Sequence, residues 1–321
     1  MKIISGKAPV AMFIYRRPEL VKSLIGAIGV YQPSRLWIVA DGPKEEQGSL
    51  ESKLCVDARR EAETGVNWPC EIKKIYADRN MGLKVRIESG LGRVFSEERE
   101  AILLEEDCHP SPDFFPFCEE MLQRYRDDKK VGGISGSCFL TRETIVESDY
   151  FFSRYLHIWG WGTWARAWNS YRPSEWIWPS QGFRSLFPSA SLKEKKYWDR
   201  LHARVASGKI QTWDYPWLAH VWQNKMVSIT PAENLVSNCG LGVGATNTKD
   251  ENMETGIERT KRLLPPYRGP GEVESNHALD QEIFQNHFLK SEGRMKFYPR
   301  LARSIGRRLR YFADRNILRT V

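Results

Sequence analysis

Four consecutive apolar residues, Ala101-Ile102-Leu103-Leu104, run straight into three carboxylates, Glu105, Glu106 and Asp107, and then into Cys108-His109-Pro110. A short unbroken apolar run suits a strand buried on both faces of a sheet, not the alternating pattern of a half-exposed one. Carboxylates crowded at the end of such a strand repel one another, and burial adds to the cost of ionising them. Two readings follow. Acidic residues end many strands because the chain is returning to water. Alternatively, the cluster meets a divalent cation and a hydroxylated ligand, because hard cations prefer carboxylate oxygens. Beyond it, Pro110-Ser111-Pro112 breaks the chain, and Asp113 to Leu122 reads as a helix capped by Ser111 or Asp113.

The preceding segments repeat one theme. Ala8 to Tyr15 is a buried strand, followed by Arg16-Arg17-Pro18 and a helix from Glu19 to about Gly29. Arg35 to Ala40 is a second strand that ends in Asp41-Gly42-Pro43, and a polar helix from Glu45 to Thr64 leads to a third, Cys70 to Tyr76. Asn80-Met81-Gly82-Leu83 then opens a helix from Lys84 to Phe95, ahead of the acidic strand. Alternation of this kind predicts an α/β fold, a mostly parallel sheet flanked by helices with right-handed crossovers. Ligands of such sheets bind outside the carboxyl ends of the strands. Arg16-Arg17, Asp41-Gly42 and Glu105-Glu106-Asp107 all fall there and predict a polar rim. No GxGxxG follows the first strand, and neither GxxxxGK[ST] nor GxSxG occurs, which excludes a dinucleotide fingerprint, a P-loop and a nucleophile elbow.

At 321 residues the chain can hold one large domain or two small ones. No apolar run approaches bilayer length, Met1 to Ser5 is too short for the start of a secretion signal, and six cysteines show neither CxxC nor zinc spacing. These features predict a cytoplasmic protein with reduced thiols. The stretch from Arg294 to Val321 carries the whole net charge of +8, so the body is neutral and offers no basic surface for nucleic acid. Within that tail, Leu301, Ile305, Leu309 and Phe312 share a helical face among arginines. This predicts a basic amphipathic helix over residues 297–321 lying on the anionic inner face of a membrane, with docking on its own domain or on an acidic partner as the other options.

From about Tyr150 the composition changes. Ten of the twelve tryptophans fall between Trp159 and Trp222, and small glycines separate the rings of Trp159, Trp161 and Trp164. Indole faces left accessible by glycine make a stacking platform for sugars; the plainer expectation is that most of these rings fill a core. Asp214 stands between Trp213 and Trp217 at the start of a helix reaching Trp222. A carboxylate flanked by indoles keeps a raised pKa and suits a general base, whereas an ordinary helix cap needs the same residue type. Val131 to Gly136 reads as a strand whose glycines permit close backbone approach, and Val227 to Glu233 as a further strand and turn. The glycines between Asn238 and Thr248 read as a lid or as a plain surface loop.

With these residues laid out, the chain resembles the GT-A class of nucleotide-sugar-dependent glycosyltransferases, and within it bacterial relatives of the inverting N-acetylglucosaminyltransferase I family. The similarity spans about Pro9 to Thr248 and is strongest at Ile102 to Phe115, where an acidic motif is followed by the Pro112-Asp113-Phe114-Phe115 helix start. It implies a Rossmann-like GT-A fold with a tryptophan-rich acceptor-side region and a basic C-terminal tail. Residues 1–150 would form the nucleotide-sugar half, 151–260 the acceptor and catalytic-base half, and 261–321 an extension. By the same resemblance Asp107 would ligate Mn²⁺ or Mg²⁺ against the donor diphosphate, Glu106 would contact the ribose, and Glu105 would support the cluster. Asp41 with Arg16 or Arg17 would hold the nucleoside, Lys84 or Arg86 would reach the phosphates, and Asp214 would be the base. Trp159, Trp161, Trp213 and Trp217 would face the acceptor. The expected reaction is inverting transfer from a nucleotide-diphosphate sugar, UDP-linked by preference, to a glycan or lipid-linked acceptor. The sequence departs from the family at one position, where Glu106 replaces the usual Asp. Two other classes share some of these features: sugar nucleotidyltransferases, which carry a glycine-rich cationic loop after the first strand, and non-catalytic carbohydrate-binding proteins, suggested by the tryptophans.

Overall fold

The structure is a computed structural model that describes residues 7–173, 178–239 and 262–290. Strand β1 (Val10–Ile14) leads through Tyr15, Arg16 and Arg17 into α1 (Pro18–Tyr31), with proline in its first turn. Strand β2 (Arg35–Ala40), α2 (Gly48–Thr64), β3 (Glu71–Tyr76), α3 (Leu83–Val94) and β4 (Glu100–Glu105) follow, within a residue or two of the sequence expectation apart from a short 3-10 turn ahead of α2. The acidic triplet ends β4, after which β5 (Cys108–Pro110) and α4 (Phe114–Arg124) complete the first half.

The second half contributes β6 (Val131–Ser135), β7 (Tyr150–Ser153), β8 (Trp161–Trp164) and the short helices α5 (Ala165–Trp168) and α6 (Phe183–Leu186). It continues with α7 (Leu192–Ala206), α8 (Asp214–Gln223), β9 (Val227–Pro231), β10 (Val236–Asn238) and α9 (His277–Ile283), which runs on as a π-helical turn, Phe284–Leu289.

Eight strands form one sheet in the order β3-β2-β1-β4-β8-β6-β9-β7. The pairs β2·β3, β1·β2, β1·β4 and β6·β9 are parallel, whereas β8 runs antiparallel to both β4 and β6, and β7 antiparallel to β9. The chain moves outward from β1 to β3, then crosses to the other side of β1 to lay down β4. The switch point, where an open sheet leaves a crevice at its carboxyl edge, therefore lies between β1 and β4. A separate two-stranded sheet pairs β5 with β10, antiparallel.

Alternate residues of β1 serve opposite faces, as the pleat requires. Val10, Met12 and Ile14 pack with Val21, Leu24 and Ile28 of α1, while Ala11 and Phe13 pack with Ile87, Leu91 and Val94 of α3. Both faces are thus covered, which explains why the central strands read as continuous apolar runs. Gly136 after β6 and Gly160 before β8 are required by close approach. A Cβ on Gly136 would lie 2.5 Å from the Gly160 carbonyl, and Gly160 itself has a φ of +61°.

Asp113 occupies the cap position of α4 without bonding its first turn, contrary to expectation. Its carboxylate instead accepts from the Arg262 side chain, at 2.5–2.9 Å, and from the Leu263 amide at 3.0 Å. This pins the segment after residue 261 to the first half of the fold.

Candidate active site

At the switch point, β1 and β4 deliver their ends side by side, with Phe13 in register with Glu105. Because side chains alternate across a strand, the three carboxylates separate. Glu106 turns inward. It is 4% exposed, its carboxylate accepts the Tyr15 amide at 2.6 Å and the Arg17 Nε, and burial pushes its pKa up against the pull of Arg17. Glu105 and Asp107 face the crevice. Glu105 keeps a window to solvent although protein surrounds most of it. Burial, Asp107 and Asp214 together push its carboxyl up to about 8. Asp107 receives the Arg17 Nη2 at 3.0 Å. Burial works against the Arg17 charge, but Glu106 and Asp107 outweigh it and raise its pKa.

The partner of this pair arrives from the far side of the chain. Trp213, buried, stacks on Trp161 at 5.7 Å between ring centroids, and Trp217 packs on Trp161 at 6.3 Å and on Trp168 at 5.0 Å. Trp161 is in register with Leu103, two residues before Glu105. The ring stack therefore seats the first turn of α8, and with it Asp214, over the end of β4. Asp214 is the first helical residue and Trp213 holds the cap position, and the Asp214 carboxylate still takes first-turn amides as a capping residue would. Burial raises the Asp214 pKa, while the Thr212 hydroxyl and first-turn amides favour its charged form.

The structure therefore brings Glu105, Asp107, Arg17 and Asp214 together and gives other expected residues different surroundings. Arg16 bonds Glu51 at 2.5 Å instead of facing the crevice. Asp41 is 6% exposed, and its two oxygens accept from Gly42 N, Met81 N, the Asn80 side chain and Gly82 N at 2.9–3.2 Å. It ties the end of β2 to the start of α3, where a Cβ on Gly42 would strike the Arg79 backbone at 2.6 Å. Arg86 is buried, donates to the Met81 sulfur at 3.5 Å and is held below its ordinary pKa by burial, with Asp41 and Arg59 as its charged neighbours. Lys84 bears on Glu88. The expectation of an exposed tryptophan platform is corrected for three of its four members. Trp161, Trp213 and Trp217 are at most 4% exposed and form core, because they pack on one another and on Trp168; of the four, Trp159 alone is half-buried.

Sequence reading missed Glu51. This buried carboxylate receives the Tyr15 hydroxyl, Arg16 and, at 2.9 Å, the Lys44 amide, and these hold it below the ordinary range despite burial. A signal was present: Glu51 heads the stripe Glu51, Cys55, Ala58, Ala62, which is the buried face of α2. The glycine-rich segment expected as a lid lies outside the described residues beyond Cys239, whose amide donates to the Asp107 carbonyl at 2.9 Å. The tail at residues 297–321 lies outside them as well. Among the described residues no helix is long and apolar enough to cross a membrane, and no three His, Cys, Asp or Glu side chains converge as a metal-enclosing cluster.

Fold and site together define a Rossmann-like α/β protein with acidic side chains at the carboxyl ends of the strands at its switch point. No family model and no curated protein matches the chain. Among solved structures, the chain is similar to one assigned as a glucose-1-phosphate thymidylyltransferase from Bacillus anthracis, at 11% identity and a TM-score of 0.38, covering 72% of this chain and 89% of that one. It is similar to HddC from Yersinia pseudotuberculosis at 12% identity and a TM-score of 0.32, covering 57% and 87%. A UDP-glucose pyrophosphorylase gives 10% identity and a TM-score of 0.32, covering 72% and 93%. At those scores the likeness carries no argument, and the fold rests on the strand order and register given above.

Proposed function

We propose that the protein is a glycosyltransferase that moves a sugar from a nucleotide-diphosphate donor, UDP-linked by preference, to a hydroxyl of a glycan or lipid-linked acceptor with inversion. The observation that carries this reading is the placing of Asp214, by the Trp161–Trp213 stack, near the end of β4, where its charge and that of Asp107 both raise the cost of Glu105 ionising. Asp214 takes the acceptor's proton as its oxygen attacks the anomeric carbon and the bond to the diphosphate breaks. A pKa raised by burial equips it for that proton. Arg17, held charged between Glu106 and Asp107, places a cation where negative charge develops on the leaving group. The crevice also suits a divalent ion. Two adjacent carboxylates, one forced above its ordinary range, fit a cation that completes its shell with phosphate oxygens and water. Asp107 would hold Mn²⁺ or Mg²⁺ with Glu105 beside it, and the ion supplies charge neutralisation for the diphosphate.

A second reading is a sugar nucleotidyltransferase, the class named for two of the structures to which the chain is similar. The local geometry supports the first: β1 passes to α1 through Tyr15, Arg16 and Arg17 alone, with no glycine-rich loop between them. Burial of Trp161, Trp213 and Trp217 removes most of the motive for a purely carbohydrate-binding role. Incubating the protein with nucleotide sugars, and separately with nucleoside triphosphates plus sugar 1-phosphates, distinguishes the readings. Release of nucleoside diphosphate is expected. Release of pyrophosphate would establish the second reading and exclude the first.

A further inference from the structure

Glu51 takes no part in the proposed chemistry, yet it is a carboxylate only 3% exposed in the first turn of α2. The rest of that helix's buried stripe is small and apolar: Cys55, Ala58 and Ala62. A residue that served only to seat α2 could be apolar too, since replacing a buried ion pair by packed hydrophobic groups is often neutral or stabilising. Its charge is explained by what it holds.

Glu51 holds the connection between β1 and α1. The Tyr15 hydroxyl, the Arg16 Nη1 at 2.5 Å and the Lys44 amide at 2.9 Å all donate to its two oxygens. Glu106 in turn accepts the Tyr15 amide at 2.6 Å and the Arg17 Nε. Two buried carboxylates, one from α2 and one from the end of β4, thus grip three consecutive residues. Pro18 adds a further constraint, because its ring restricts the backbone of Arg17 before it. Arg17 sits at the cap position of α1, but its side chain makes no cap bond. Its Nη2 goes to Asp107 instead, at 3.0 Å.

The consequence lies in which arginine meets the acidic residues of β4. Arg16 and Arg17 are neighbours with the same charge on the same long, flexible stem, and their side chains are comparably exposed, 35% and 27%. Unrestrained, either guanidinium would be drawn to Glu106 and Asp107. Arg16 is instead bonded to Glu51, with its guanidinium over the Tyr15 ring at 5.4 Å from the centroid. Of the two, Arg17 alone is left for that place. Burial works against the Glu51 charge, but Tyr15, the Lys44 amide and Arg16 outweigh it and hold the carboxyl below its ordinary range.

We propose that Glu51 is a positioning residue: by capturing Arg16 and Tyr15 it makes Arg17 the cation presented to Asp107. That this cation serves a diphosphate rests on the glycosyltransferase reading; the positioning itself does not. The test is hydrogen exchange of arginine Nε–H groups, followed by NMR on the full chain, with the Arg17 signal assigned by its loss in Arg17→Lys. In the wild type that signal should exchange slowly, as a bond to buried Glu106 requires. Glu51→Gln, nearly isosteric, should speed the exchange by about tenfold or more. Arg126, whose Nε bonds Glu100 at 2.9 Å at the other end of β4, should keep its wild-type rate. Tyr15→Phe removes a single hydroxyl, guards against misfolding of the first variant and should act in the same direction. The proposal is overturned if the Arg17 signal exchanges freely in the wild type, or if Arg126 speeds up equally. It is also overturned if the Arg17 rate stays within about twofold of wild type in each variant that folds. In a parallel titration of UDP with Mn²⁺, Glu51→Gln should weaken binding by about fivefold or more, and add nothing in an Arg17→Ala background. Faster Arg17 exchange in the variants, without any UDP binding by the wild type, upholds the role of Glu51 and overturns the transferase reading.

Discussion

On the proposed reading, Asp214 is brought to Glu105 only by folding, and the burial that raises its pKa would fit it for proton transfer. An isosteric amide would then remove the proton acceptor and little else. Asp214→Asn is therefore expected to bind donor as before and to lose about 10²–10⁴-fold in turnover, read as nucleoside diphosphate release in the presence of acceptor. Full turnover in that variant would exclude the assignment. The gathering of acidic side chains at the end of β4 was legible because carboxylates at a buried strand's end are costly. Their division was also implicit in the sequence: neighbours at a strand end point to opposite faces, so Glu106 had to part from Glu105 and Asp107. What sequence alone concealed was prior engagement. Asp41 and Arg16 have the right chemistry at the right strand ends, but Asn80, Met81, Gly82 and Glu51 had already claimed them. Nothing local to either residue announces a partner 35 or more positions away.

Helices and strands with strong periodicity or long apolar runs, β1 to β4 and α1 to α4, were readable to within about two residues. The elements that were not read are short or irregular, except α7, a fifteen-residue helix whose Ser191 cap accepts from the Glu194 amide. Strand β8 is four residues with a glycine inside it, and β5 and β10 are three residues each, too brief for an alternating pattern to register. Helix α9 depends on a partner instead of periodicity. Its fully buried Asp280 accepts from Ser153 Oγ at 2.5 Å and from Arg154 Nε at 2.9 Å, while Arg154 also reaches Glu194 at 3.3 Å and His277 at 2.8 Å. Removing one member of a buried ion pair leaves the other desolvated and uncompensated. Asp280→Ala should accordingly cost about 3–5 kcal/mol in denaturant unfolding. A loss below about 1 kcal/mol would mean that Glu194 alone neutralises Arg154, and that α9 is held by its apolar face.

For the molecule as a whole, the proposed site follows from topology. Crossing from β3 back past β1 to lay down β4 opens the crevice, and the antiparallel entry of β8 places Trp161 where Trp213 can stack. That stack carries Asp214 to the carboxylates, so the aromatic core is the frame of the site and not its surface. The central claim is that Asp107 holds a divalent ion against a diphosphate at this edge of the sheet. Isothermal titration of UDP into the full chain, with and without Mn²⁺, tests it most directly. The account predicts that Mn²⁺ strengthens UDP binding to the wild-type protein and that Asp107→Ala abolishes the gain while leaving the fold intact. Equal UDP affinity in the variant and the wild type, in the presence of Mn²⁺, would contradict it.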